Sequence, residues 1–164
     1  MPREFRCIFD TNIYGLIIEK KILFSELKKI LNKKKLIIYG SDVIRKELRN
    51  TPLHMKVGSE KLRLKLLDIY DNIVGNRTFE TTDLAEGLAK LYFKEYKSIK
   101  GIQSYKKIRN DFLIVAIASL NDLDIIITED NKTMCSPKAK RSYNKININN
   151  DLNPPTFIGI DFIL

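Results

Sequence analysis

Two aspartates each closely follow an apolar run that is typical of a buried strand. Asp10 comes directly after residues 7–9, and Asp130 follows the β-branched run at residues 124–128. In a parallel sheet with right-handed crossovers, the carboxyl ends of the strands lie along one edge, where ligands bind. We therefore expect Asp10 and Asp130 to share a crevice. Asp10 taken alone also has a simpler interpretation, as the cap of a helix that begins near Ile13.

Two further acids have positions that the pattern alone does not fix. Asp111 stands at the start of an apolar helix that begins at Asn110 or Asp111, and Glu47 lies within the helix after the second strand. Glu129 precedes Asp130 and is an alternative for the same place. The residues therefore predict two acids at the sheet edge and two candidates that could join them.

The elements that must position these acids alternate between strand and helix. Strands are predicted at residues 7–9, 36–39, 124–128 and 156–164, with residues 77–79 as a strand or a loop. Helices are predicted at residues 17–31, from the cap Ser41 to Thr51, at residues 59–74, from a capping box at Asp83 and Glu86 through Tyr96, and from residue 110 to residue 122. Residues 98–109 are predicted to form an exposed basic loop, and residues 132–155 a loop with weak structure. This alternation predicts an α/β sandwich around a parallel sheet.

Length and composition predict one domain over residues 1–164, because the chain is long enough for one good core and too short for two. No apolar run reaches the roughly 20 residues of a membrane span. The net charge of +9 favours a polyanionic partner, nucleic acid or an acidic protein. A biased composition with lysines spread over solvated faces explains the same charge without any partner.

Cys7 and Cys135 are expected to be reduced, since nothing else indicates a secreted disulfide scaffold. With His54 the single histidine, and in a predicted surface loop, a zinc site of nitrogen and sulfur ligands is hard to assemble. Any metal would be held by oxygen. The charged start MPREF lacks the apolar region of a signal peptide, so we expect a cytoplasmic protein.

Four segments resemble, in order, the acidic motifs of the PIN-domain family. They are FDTN at residues 9–12, SDVIRKEL at 41–48, NDFLIVAIA at 110–118 and ITED at 127–130. The resemblance spans most of the chain, from Cys7 to about Asn131. It implies a three-layer α/β/α sandwich with a mainly parallel central sheet.

The resemblance also implies a site and an activity. The four acids of the family match Asp10, Glu47, Asp111 and Asp130, and Asn12 and Thr128 match the polar companions of the first and fourth acids. PIN-domain proteins are commonly metal-dependent ribonucleases that cut RNA, so the resemblance implies Mg²⁺ or Mn²⁺ at these acids. Crowded carboxylates repel unless a cation neutralises them, and both ions prefer oxygen ligands.

The basic residues that lead to Asp111 are candidates for binding RNA. Lysine and arginine side chains bind the phosphates of RNA, and an aromatic ring can stack on a base. A solvated loop without contacts is the alternative for each lysine. The candidates are Lys100, Tyr105, Lys106, Lys107 and Arg109.

The family includes VapC-like toxins that a small antitoxin neutralises, members that dimerise, and RNA-processing nucleases, and the sequence does not separate these roles. After Asp130 many members continue with an acid and an aromatic, where this chain has Asn131 and Lys132. The alternative function is therefore a non-catalytic RNA-binding or assembly module. A phosphoacceptor receiver domain is a third interpretation, but its paired early acids and late lysine are not evident.

Overall fold

The computed structural model describes residues 3–164 and contains a five-stranded parallel sheet in the order β5-β2-β1-β6-β7. A separate antiparallel hairpin pairs β3 with β4. The strands are β1 Phe5–Phe9, β2 Leu36–Ser41, β3 Lys56–Val57, β4 Glu60–Lys61, β5 Thr78–Phe79, β6 Ile125–Ile127 and β7 Thr156–Ile158. The helices are α1 Thr11–Glu19, α2 Phe24–Lys34, α3 Asp42–Arg49, α4 Leu62–Val74, α5 Asp83–Ser98, α6 Tyr105–Leu120 and α7 Pro137–Asn149, followed by a short 3₁₀ turn, Ile160–Phe162.

The strand order places the helices in two layers. From β1 the chain moves through β2 to β5 on one side, and it then returns to β6 and β7 on the other side. Right-handed crossovers in opposite directions put α1 to α4 on one face and α5 to α7 on the other. The predicted three-layer α/β/α architecture is confirmed. The order reverses between β1 and β6, and such a reversal is where α/β sheets form a crevice at their carboxyl edge.

The central strands are buried because both faces are covered by helices. Cys7 in β1 lies between Ile38 of β2 and Ile125 of β6, and Phe9 is paired with Ile127. All five side chains are buried. β2 ends at Ser41, whose hydroxyl accepts from the amide of Ile44 and caps α3, as predicted.

Gly40 in β2 is required by a close approach. A Cβ there would lie 2.1 Å from the hydroxyl oxygen of Tyr70 on α4. That hydroxyl donates to the carbonyl of Ser41 at 3.1 Å, and it also shares a hydrogen bond with Thr78 of β5. The absence of a side chain at Gly40 therefore lets α4 pack closely against the end of β2, next to the edge where the acids lie.

α6 begins at Tyr105, earlier than predicted, so the expected basic loop at residues 98–109 is wrong in its second half. The hydroxyl of Ser104 accepts from the amide of Lys107 at 3.3 Å and caps the helix. Ile108 is buried in the next turn, while Lys106 and Lys107 face solvent. The prediction of a deeply buried helix over the following residues is confirmed. Asp111 therefore lies in the second turn of α6 and does not cap it.

The predicted helix at residues 17–31 is two helices, because the chain breaks after α1. Lys21 has a left-handed conformation with φ 55°, and the amide of Ile22 bonds back to the carbonyl of Ile17 at 3.1 Å. This closure ends α1, and α2 begins afresh at Phe24. The apolar spacing continues across the break, which is why the sequence pattern did not reveal it.

The prediction of a loop at residues 132–155 is wrong, because α7 occupies more than half of it. Ser136 caps the helix and Pro137 takes its first position, where the missing amide proton costs nothing. The buried face includes Ser142, Tyr143 and Asn147. Polar residues on that face removed the apolar period that would have identified the helix.

Smaller differences concern helix starts and the tail. α4 begins at Leu62 because residues 56–61 form the hairpin, and α5 is capped by Thr82, not Asp83. The tail contributes only β7 at the sheet edge before it turns into the 3₁₀ segment. Within residues 3–164, no helix is both long and apolar enough to cross a membrane.

Candidate functional site

The four predicted acids come from four elements that meet at the carboxyl edge of the sheet. Asp10 follows β1, Asp130 follows β6, Glu47 lies in α3 and Asp111 in α6. The charges of the other three all raise the pKa of Asp111, so the four side chains act on one another electrostatically. We call these four residues the acidic cluster.

Asp10 is held by two hydrogen bonds in a nearly solvent-free place. The Thr128 hydroxyl donates to Asp10 Oδ2 at 2.7 Å, and the Thr11 amide donates to Oδ1 at 2.8 Å. The second bond caps α1, so the capping interpretation is confirmed, and the role of Asp10 in a site stays a prediction. Asp10 is only 5% exposed, and burial is the main reason that its pKa is raised.

Thr128 joins the first acid to the fourth. Its hydroxyl donates to Asp10 and accepts from the amide of Asp130 at 3.0 Å. One hydroxyl can make both bonds because it has one proton and free lone pairs. The structure thus places Thr128 between the two acids that the sequence identified most clearly.

Glu47 contacts the cluster through Thr11, which the sequence interpretation overlooked. The Thr11 hydroxyl donates to Glu47 Oε1 at 3.0 Å. Burial, followed by the charge of Asp10, raises the pKa of Glu47 against the opposing effect of this bond. Asn12, which was expected to support Asp10, is exposed and makes no side-chain hydrogen bond within residues 3–164. Its role stays a prediction.

Asp111 and Asp130 share the hydroxyl of Thr133, the second contact residue that the sequence interpretation missed. Thr133 Oγ1 lies 2.7 Å from Asp111 Oδ2 and in contact with Asp130 Oδ2. A hydroxyl has one proton and cannot donate to two carboxylates at once. The two acids therefore compete for the single proton of Thr133. The only sequence signal for this contact was a hydroxyl residue a few positions after Asp130.

The pKa values of Asp111 and Asp130 are shifted in opposite directions. Burial, reinforced by the charges of Asp10, Asp130 and Glu47, raises the pKa of Asp111 to about 7. For Asp130, burial raises the pKa, but the hydroxyl of Thr133 and nearby amides lower it further than burial raises it. Asp130 Oδ1 accepts from the amides of Lys132 at 3.0 Å and Thr133 at 2.9 Å. Asp111 is therefore the more readily protonated of the two acids.

Glu129 points away from the acidic cluster. Its Oε1 accepts from the amide of Ile160 at 2.5 Å, at the end of β7. Gly159 makes room for this contact, since a Cβ there would lie 2.7 Å from the same oxygen. Asp130 and not Glu129 is therefore the residue that contacts the other acids.

The donor set suits a hard divalent cation. All four acids and their threonine partners offer oxygen, which Mg²⁺ and Mn²⁺ prefer. Burial and the charges of neighbouring acids raise the pKa of Asp10, Glu47 and Asp111, and a cation would relieve both costs. Among residues 3–164, no group of three Asp, Glu, His or Cys side chains lies close enough together to hold a metal ion. The hydroxyls of Thr11, Thr128 and Thr133 instead occupy the oxygens that would bind it.

A cleft of about 480 Å³ opens beside Glu47, between α3 and the α5/α6 pair. Its polar lining includes Asp42, Lys46, Glu86 and Arg109. Arg109, one of the predicted RNA-binding residues, forms an ion pair there with Glu86. Its charge is therefore already neutralised on this side of the acids.

The other predicted RNA-binding residues lie around the start of α6. Lys106 and Lys107 are exposed in its first turns, and Lys100 is exposed in the preceding loop. The Tyr105 ring lies 4.9 Å from the ring of Phe93, and its hydroxyl is buried without a hydrogen-bond partner in residues 3–164. Tyr105 therefore packs against α5, and little of its ring is free to stack on a base.

No protein-family profile matches this chain, and no curated protein matches it. Several solved structures are similar to this chain. VapBC2 from Rickettsia felis, bound to a DNA fragment from their promoter, is similar at 13% identity and a TM-score of 0.58, over 94% of this chain and 98% of that chain. DNA-bound VapBC from Salmonella typhimurium is similar at 11% identity and a TM-score of 0.56, with the same coverage of 94% and 98%.

FitAB bound to an IR36 DNA fragment is similar at 10% identity and a TM-score of 0.54, over 93% of this chain and 94% of that chain. VapBC and FitAB are toxin-antitoxin complexes, and the VapC component of VapBC is a PIN-domain protein. At such identities the likeness concerns the fold alone. The chain has the α/β/α fold of PIN domains.

Proposed function

We propose that the protein is a cytoplasmic Mg²⁺- or Mn²⁺-dependent endoribonuclease. The observation that carries the proposal is the acidic cluster, four carboxyls from separate elements that meet at the switch point of the sheet and are joined by threonine hydroxyls. Buried acids that repel one another are costly to keep, and pKa values perturbed in this way are concentrated at functional sites. A purely structural role would favour replacing them with apolar residues.

Asp10, Glu47, Asp111 and Asp130 would hold the cation, which when bound supplies charge stabilisation and a more acidic water for attack on a phosphodiester. The threonines orient this set. Thr128 fixes Asp10, Thr11 fixes Glu47, and Thr133 fixes Asp111 against Asp130. In the ion-free chain, Asp111 gains or loses its proton near neutrality. A cation would displace that proton and leave the carboxylate as a ligand.

The comparisons support a narrower role within this function, that of the toxin of a toxin-antitoxin pair. The similar structures are complexes of that kind, matched over nearly the whole of this chain. The partner we propose is accordingly a small antitoxin protein, with RNA as the substrate. An antitoxin encoded beside this chain, whose co-expression relieves growth arrest, would support the role.

Cleavage of single-stranded RNA with Mn²⁺ tests the proposed activity. The wild type should cleave, EDTA should stop cleavage, and Asp10→Asn should lower the rate by on the order of a hundredfold or more. Asp122→Asn is a matched control, since Asp122 is exposed just before β6 at the opposite edge of the sheet. Equal cleavage by wild type and Asp10→Asn, or cleavage undiminished in EDTA, would contradict the proposal.

A second candidate function is a non-catalytic RNA-binding or assembly module. One observation favours it: within residues 3–164 no three side chains already converge on an ion position. Calorimetry separates the two functions, because such a module need not bind Mn²⁺ at the acidic cluster. RNA binding without cleavage or Mn²⁺ uptake would favour this second function.

A further inference from the structure

Two segments in the second half of the chain carry several cations and no acid. Residues 97–110 contain five Lys or Arg and no acid, and residues 131–150 contain five more and no acid. The chain has 29 Lys and Arg against 20 Asp and Glu, so the remainder has 19 against 20. The two segments together thus carry ten cations without an acid, and residues 27–41 carry five more lysines without an acid.

The fold brings the two segments together. Lys138, in the first turn of α7, donates from Nζ to the carbonyl of Lys100 at 2.9 Å, across the loop before α6. Further along, the Thr133 hydroxyl lies against Asp111 of α6. The start of α7 and the start of α6 therefore form one surface, and this surface leads to the acidic cluster.

Four of the ten cations in these segments are already engaged. Arg109 pairs with Glu86 and Lys145 with Glu95, while Lys97 and Lys140 lie over the rings of Phe93 and Phe157. The other six are exposed, and among residues 3–164 none has a carboxylate within 4 Å. We call these six the basic face: Lys100, Lys106, Lys107, Lys132, Lys138 and Arg141.

The basic face adjoins the acidic cluster. Lys107 precedes Asp111 by four residues on α6, one helical turn or roughly 6 Å along the axis. Lys132 follows Asp130 by two residues, and its amide donates to that carboxylate. Both lysines therefore lie close in the chain to the acids that Thr133 bridges, Asp111 and Asp130.

The opposite approach to the cluster has different electrostatics. The cleft beside Glu47 is also lined by Asp42 and Glu86, and the guanidinium of Arg109 is taken up by Glu86. Phosphates entering there would meet three carboxylates, those of Asp42, Glu47 and Glu86, and one lysine, Lys46. Phosphates on the basic face would meet unpaired cations, and releasing counterions at each contact favours binding.

Resting on the proposed endoribonuclease function, we infer that the basic face binds the phosphate backbone of the RNA strand that leaves the acidic cluster. The strand runs from the Asp111–Asp130 bridge past Lys107 and Lys132 to Lys138 and Lys100. The α7 cations thus belong to the RNA-binding surface, and Arg109 does not contact this part of the strand. An acidic protein segment is the competing occupant. RNA is favoured because a strand cut at the cluster must continue over one of its two flanks.

Fluorescence anisotropy with a labelled oligouridylate in EDTA tests this inference without cleavage. The double variant Lys132→Ala/Lys138→Ala should bind roughly ten times more weakly than wild type at low salt, and the slope of log affinity against log salt should become shallower by about 1.4. The matched control is Lys29→Ala/Lys33→Ala on α2, which removes the same charge from exposed positions outside the two segments. Its affinity and slope should match wild type. All four lysines are exposed, and the one hydrogen bond that is lost, from Lys138 to the carbonyl of Lys100, is also exposed, so the melting temperatures should differ little.

The possible results distinguish a failure of the proposed RNA path from a failure of the proposed endoribonuclease function. If wild type cleaves RNA with Mn²⁺ and the two double variants bind oligouridylate equally, the inference is wrong and the proposed function stands. If wild type neither binds nor cleaves RNA, the function fails and the inference with it. Tight binding of oligoglutamate by the wild type, lost in Lys132→Ala/Lys138→Ala and unaccompanied by RNA binding, would assign the face to an acidic protein and overturn the inference.

Discussion

Asp111 Oδ2 and Thr133 Oγ1 lie 2.7 Å apart, and this contact joins α6 to the turn after β6. The same hydroxyl contacts Asp130, so one side chain sets the spacing of two acids that are 19 residues apart in sequence. Because Thr133 has a single proton to donate, Asp111 and Asp130 compete for it, and burial raises the pKa of Asp111 to about 7. The charge state and the geometry of the acidic cluster are thus coupled at Thr133.

Replacing Thr133 with valine should weaken both stability and ion binding. Thr133→Val keeps the shape of the side chain but removes the hydroxyl, so the pKa of Asp130 should rise toward its ordinary value. We expect a loss of about 1 to 2 kcal/mol in the free energy of unfolding in EDTA, and roughly tenfold weaker Mn²⁺ binding. Urea denaturation and calorimetry measure the two effects. Thr156→Val, at an exposed strand position, is the control, and a Thr133→Val protein indistinguishable from it would contradict the assigned role.

The ion-free protein should lose stability as the pH rises toward neutrality. The pKa of Asp111 is about 7 in the folded chain against an ordinary value of 3.8, mainly because burial disfavours the charged form. The folded state thus holds the proton more tightly than the unfolded state. This stabilisation is fully present below about pH 4 and is lost as the pH passes through about 7.

Asp111→Asn should remove much of this pH dependence, because the amide does not titrate. We expect the wild type to lose about 2 to 4 kcal/mol more than the variant between pH 4 and pH 8, an order-of-magnitude figure. Burial raises the pKa of Asp10 and Glu47 as well, so a smaller slope of the same sign should persist in the variant. Denaturant unfolding of both proteins in EDTA, repeated across this pH range, measures the pH dependence of the free energy of unfolding. Parallel curves for the two proteins would show that Asp111 is not the titrating group.

Substitutions of the neighbouring residues Asp130 and Glu129 should have very different effects on Mn²⁺ binding and RNA cleavage. Asp130→Asn should lower Mn²⁺ affinity by more than about a hundredfold, because its carboxylate faces the cluster. Glu129→Gln should leave ion binding and RNA cleavage close to wild type, since the amide oxygen can still accept from Ile160. Calorimetry and cleavage rates for the two variants form a matched pair. The reverse order of effects would place Glu129 in the site.

The sequence predicted the sheet edge well because short apolar strands that end in an acid are local patterns. Asp10, Asp130 and the Ser41 cap follow from such patterns alone. The position of Asp111 within α6 could not be predicted in this way. Ser104 caps α6 six residues before Asn110, where the apolar pattern predicted the helix to begin. α7 was missed because its buried face carries Ser142 and Asn147. Thr11 and Thr133 were missed because their contacts depend on tertiary approach.

The central claim is that the four carboxyls act as one divalent-cation site, and titration of the ion-free protein with Mn²⁺ by calorimetry tests it most directly. We predict a saturable binding isotherm for the wild type and for Asp122→Asn, and its loss in Asp10→Asn with the fold retained by circular dichroism. Absence of Mn²⁺ binding by the wild type, or equal binding by Asp10→Asn, would contradict the claim.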